Sequence, residues 1–122
     1  PAASEALDEA WAVAAALGAR NSEARGLNDA AIAYRRRGNV EHAVDLYERA
    51  LALARATADG QMEGLILNNL GVAYKTLGEV DRALEFYEQA LAHRRAAGDT
   101  RSQYHALINL AIVRRGRGEF AA

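Results

Sequence analysis

A period of forty residues constrains this chain more than any other feature. Leu27, Asn28, Ala33, Tyr34, Gly38, Val40, Ala43, Tyr47, Ala50 and Leu51 recur as Leu67, Asn68, Ala73, Tyr74, Gly78, Val80, Ala83, Tyr87, Ala90 and Leu91. A constant spacing of this length means that one supersecondary unit is used repeatedly, each copy burying on its neighbours the faces it cannot bury alone.

Within each unit the apolar spacing is helical. Leu27, Ala30, Ala31 and Tyr34 fall at i, i+3, i+4 and i+7, which predicts a helix over about 22–37 with Asn21 or Ser22 as its cap. Gly38 stops that helix, and Asn39 caps a second one running to about Thr57 with Ala43, Leu46, Tyr47, Ala50 and Leu51 inward. The next unit repeats this with helices over 62–77 and 80–97, stopped at Gly78 and at Gly98-Asp99. A third begins near Thr100, packs Leu107, Leu110 and Ala111, and stops at Gly116-Arg117-Gly118 before Phe120 opens another second helix. Residues 3–17 match second-helix register, Ala3, Leu7 and Ala10 falling on Ala43, Tyr47 and Ala50, with an expected stop at Gly18. Trp11, in the place of Leu51, is expected to cover that helix's open face.

The expected organisation is a single all-α domain of antiparallel helix pairs: a partial repeat over 3–18, repeats over 24–63 and 64–103, and a partial repeat over 104–122. Both ends fall inside repeats, so the sequence reads as a segment of a longer array. Small residues at Ala31, Gly71, Ala111, Ala43, Ala83, Ala50 and Ala90 allow close helix approach, while Tyr34, Tyr74, Tyr47 and Tyr87 fill wider gaps.

Composition narrows the function classes. The sequence is 51% apolar with a single proline, Pro1, so no helix is interrupted internally. Fifteen basic and sixteen acidic residues nearly balance, which argues against a dedicated nucleic-acid binder. The absence of cysteine excludes disulfides and thiolate chemistry. No run approaches the ~20 apolar residues of a membrane span, and a cytoplasmic location is expected. His42, His93 and His105 lack metal-ligand spacing, and no phosphate-binding glycine loop follows a strand. No catalysis, metal or cofactor is expected.

Leu67, Leu70, Gly71, Tyr74, Ala83, Tyr87 and Ala90 resemble the signature of tetratricopeptide repeats. The usual repeat has 34 residues and ends in proline; here the period is longer and the proline is missing, as in the long repeats of kinesin light chains and spindle-orientation adaptors. Similar repeats occur in bacterial signalling ATPases and transcriptional activators. The resemblance implies an α-α superhelix, a tetratricopeptide solenoid, whose first helices line a concave wall.

That wall would carry Arg25, Asn28, Asp29, Ile32, Arg35 and Arg36 in the first repeat. Leu65, Asn68, Asn69, Val72, Lys75 and Thr76 follow in the second, and His105, Ile108, Asn109, Ile112 and Arg115 in the third. An amide both donates and accepts, so Asn28, Asn68, Asn69 and Asn109 are candidates to pair with the backbone of a bound peptide. In the related adaptors the residue matching Asn69 has this role. Arg25, Arg35, Arg36, Lys75 and Arg115 would favour an acidic guest or a free carboxylate. Solvated polar residues on an exposed helix face are the plain alternative for all of them.

The expected function is therefore a protein–protein interaction module that binds a peptide or partner segment in its groove. On this expectation Asn69→Ala lowers peptide affinity by ~1–2 kcal/mol with the fold intact. Two alternatives remain open: a self-assembling segment that forms homo-oligomers through its open repeat ends, and the sensor part of a larger bacterial signalling or transcriptional regulator.

Overall fold

The structure, a computed structural model, describes residues 2–98 and 100–116; the side chains of residues 2–8, 10, 11, 14, 97, 100–102 and 105 are outside the description. Five helices follow one another: α1 (Ala2–Arg36), α2 (Val40–Ala56), α3 (Gly60–Thr76), α4 (Val80–Ala97) and α5 (Thr100–Gly116). Each packs on the next, and α1 also touches α3. This is the connectivity of an all-α solenoid of helix pairs.

The turns repeat as closely as the helices. Gly38 and Gly78 take φ of +91° and +81° at the ends of first helices, where a left-handed residue lets the next amides satisfy the last carbonyls. Asn39 N–H donates to Tyr34 O and Glu79 N–H to Tyr74 O, both at 2.9 Å. The α2–α3 and α4–α5 turns use the same device at Ala58 (φ +53°) and Gly98 (φ +72°), again forty residues apart. Two of the following helices are capped by side chains: Asn39 accepts from His42 N–H and Asp59 from Met62 N–H. Glu79 makes no such bond at the start of α4.

The core runs along the small-residue stripes. Ala31, Ala43, Ala50, Ala83 and Ala90 are buried together with Leu46, Leu51, Ile66, Leu67 and Leu70. Tyr47 and Tyr87 are the largest of the fully buried side chains. Gly71 makes the closest approach: a Cβ there would lie 2.5 Å from the Tyr87 ring, well inside van der Waals contact.

Three local expectations change. Gly18 does not stop a helix: α1 runs unbroken through it for 35 residues, so neither Asn21 nor Ser22 is a cap. A glycine in a helix interior costs only about 1 kcal/mol, and among the described side chains from Ala12 to Arg20 every one is exposed. No packing there rewards a reversal of the chain. Tyr34 is 37% exposed and meets the His42 ring edge-on. Its counterpart Tyr74 is 6% exposed, stacks on Phe86 at 5.3 Å and accepts from Arg82 at 3.3 Å. Forty residues back, the partners Arg82 and Phe86 are replaced by His42 and Leu46; α3 also lies between α2 and α4, whereas α1 packs on α2 and touches α3.

In α5 the buried stripe is Ala106, Leu110 and Val113, while Leu107 and Ala111 face outward. These two lie on the side that a paired second helix would cover. The side chain of Trp11, the turn beyond Gly116 and Phe120 lie outside the described residues.

Candidate functional site: the common face of the first helices

The second half of α1 and the whole of α3 and α5 occupy equivalent places in the forty-residue register, so equivalent residues form rows across them. The middle row is amide. Asn69 Nδ2 donates to Asn28 Oδ1 at 3.0 Å, and Asn109 Nδ2 donates to Asn68 Oδ1 at 2.8 Å. Each first helix is thus tied to the one before it by a side-chain pair offset by 41 residues. Only α3 carries both roles, Asn68 accepting and Asn69 donating; α1 has Asn28-Asp29 and α5 has Ile108-Asn109.

These bonds change what the individual asparagines offer. Asn28 is 3% exposed and its oxygen is engaged, so it acts on the face by holding Asn69. Asn68, Asn69 and Asn109 remain partly exposed. An amide nitrogen has two hydrogens and its oxygen two lone pairs, so each pair leaves hydrogen-bonding capacity toward solvent. Asn69→Ala would also strand the buried Asn28 oxygen, at an expected cost of about 1–3 kcal/mol of stability. Sequence reasoning placed these amides on one face and missed their pairing. The signal was the adjacent pair Asn68-Asn69, flanked forty residues away by one half of the pair on each side.

On one side of the amides lies an aliphatic row, Ile32, Val72 and Ile112, the first two half-buried and the third 49% exposed. Leu65, before the amides on α3, and Ile108, which takes the place of Asn68 on α5, are each 40% exposed. Beyond the aliphatic row lies a row of cations, Arg35, Lys75 and Arg115, one in the last turn of each first helix, where positive charge also complements the helix dipole. Arg36 and Arg25 are exposed on α1. Arg35 and Arg36 line a cleft of about 520 Å³ with the start of α2, Thr76 at the end of α3 and Leu77 just after it. The Arg35 Nε is buried with no hydrogen-bond partner. Its charge also reaches Tyr87: burial pushes that phenol up to about 12, and Arg35 pulls the other way.

No described group of three or more His, Asp or Glu could hold a metal ion. His93 pairs with Glu63 at 3.3 Å, away from these rows, and Arg55 approaches the same carboxylate at 3.8 Å. His42 packs on Tyr34. No described helix is long and apolar enough to cross a membrane.

The tetratricopeptide repeat model matches residues 62–122, and a second tetratricopeptide repeat model matches residues 27–61. The chain belongs to the tetratricopeptide repeat family. Among solved structures, the tetratricopeptide domain of Arabidopsis FLU superposes with a TM-score of 0.78 at 19% identity, over 84% of this chain and 86% of that one. BtubC (BKLC) from P. vanneervenii gives 0.75 at 28% identity over 93% of this chain, which spans 48% of that protein. No curated protein sequence matches the chain. Tetratricopeptide repeats generally mediate contacts between proteins.

Proposed function

We propose that the common face of α1, α3 and α5 is the concave wall of a groove that binds an acidic segment of a partner protein, reversibly and without bond chemistry. The observation that carries this reading is the alignment of three rows in one register. Amides at Asn69 and Asn109 meet the guest backbone, Ile32, Val72 and Ile112 meet its aliphatic side chains, and Arg35, Lys75 and Arg115 meet its carboxylates. First helices pack about 8–10 Å apart, close to three residues of extended chain at ~3.3 Å each. A guest crossing the wall in extended form can therefore present one carboxylate to each cation in turn. Asn28 and Asn68 fix the amides they pair with, so part of the ordering entropy is lost on folding rather than on binding.

A labelled peptide with Glu at every third position, compared with its Lys counterpart, tests the reading by fluorescence anisotropy. The Glu peptide is expected to bind, with affinity falling as salt rises. The double charge reversal Lys75→Glu with Arg115→Glu should weaken it about tenfold, since exposed ion pairs contribute roughly 0.2–1 kcal/mol each. Equal binding of the two peptides, or no response to the double reversal, counts against the cation row.

A further inference from the structure

The outer side of α4 and α5 holds a cleft of about 340 Å³ floored by Leu91, Ala92, Leu107 and Leu110, with Glu88, Arg95 and Arg114 among its lining residues. Shifted back by forty, these positions are Leu51, Ala52, Leu67, Leu70, Glu48, Arg55 and Tyr74, the register in which α3 receives its own second helix, α4. The cleft therefore has the build of a seat for a second helix. No described element covers it, and Leu107 is left 45% exposed.

The same molecule displays a helical segment with second-helix register whose described side chains are exposed. α1 is about 52 Å long at ~1.5 Å per residue and α2 about half that, so the first half of α1 projects past its only paired neighbour. Val13 and Leu17 are 60% and 40% exposed there, although Val13 matches Leu53, which packs against the core. Ala3, Leu7 and Ala10 stand forty residues before Ala43, Tyr47 and Ala50, the residues α2 buries. Charge agrees with shape: the projecting half carries Glu5, Asp8 and Glu9 with no basic residue before Arg20, whereas in the seat Arg114 pairs with Glu88 at 3.1 Å and Arg95 leaves a net positive charge.

We propose that the projecting half of α1 from one copy docks in the α4–α5 seat of another, a heterologous head-to-tail contact between copies of this chain. The contact lies away from the amide and cation rows, so it stands or falls independently of the groove. Because donor and acceptor are different surfaces, association continues beyond a dimer unless it closes into a ring.

Analytical ultracentrifugation over a concentration series tests this with two variants, Leu7→Glu/Val13→Glu on the projecting helix and Leu107→Glu in the seat. The wild-type mass is expected to rise from 13.1 kDa to twice that value and beyond. Each variant alone should stay monomeric at concentrations where the wild type associates, with unchanged helix content by circular dichroism. An equimolar mixture should then form a heterodimer of twice the monomer mass and nothing larger, since one intact projecting helix meets one intact seat. A wild type that is monomeric throughout, or variants that remain monomeric when mixed while the wild type associates, overturns the proposal.

Discussion

Gly71 and Tyr87 decide how closely the second pair of helices can approach. The glycine is needed for its lack of a side chain, because the Tyr87 ring fills the space a Cβ would take and is itself 1% exposed. Gly71→Ala should therefore lower stability by about 1–3 kcal/mol in urea unfolding, and by less when Tyr87 is changed to Leu, but not to Phe, in the same chain, because Phe keeps the clashing ring carbons. Tyr87 also sets an alkaline limit. Its phenol titrates near 12 in the folded protein against an ordinary value of 10.0, so the folded state favours the neutral form. The stability this represents is complete below about pH 10 and is lost as pH rises from there through 12. Phenolate absorbance should show one tyrosine ionising together with the loss of helix across that window, and Tyr87→Phe should remove that component. The close packing was partly legible in the sequence: Gly71 and Tyr87 stand at family positions, with small Ala31 and Ala111 in register with the glycine, but nothing in the spacing said which ring would meet which backbone.

At the scale of elements, the helix pairs and their left-handed turns follow from the period, since Gly38 and Gly78 mark the same step twice. Gly18 stands instead forty residues before Ala58, at the step that Ala58 and Gly98 mark after second helices, yet the helix runs on through it. A glycine signals a stop only where the chain gains packing by reversing, and the described side chains around Gly18 are all exposed. This makes an opposite-sign test available. With open space around its Cβ position and no positive φ, Gly18→Ala should raise stability or helix content by about 0.5–1 kcal/mol. A left-handed stop at the same position would be destabilised instead. The amide pairs were the other feature hidden from the sequence, because a hydrogen bond between residues 41 apart depends on how far one helix slides along the next. A double-mutant cycle on Asn28→Ala and Asn69→Ala should give a coupling of about 0.5–1.5 kcal/mol in unfolding free energy, and a coupling near zero would mean the pair opens freely in solution.

For the molecule as a whole, stability is expected to be a sum over neighbours rather than the property of one central core. The forty-residue period made the fold class and the rows of equivalent residues across the first helices readable in advance, because such residues must lie side by side once the pairs stack. It could not reveal that α5 turns Leu107 and Ala111 outward, since that depends on what lies beside it. The asparagine pairs carry a further consequence. Every link has the same polarity, with the later helix donating and the earlier one accepting, and only the unit containing Asn68-Asn69 has both halves of the coupling. Duplicating that unit in tandem within the gene should lengthen the molecule by one step without a mismatched joint. Asp29 and Ile108 cannot be copied in this way, and they act as the stoppers at either end of the string.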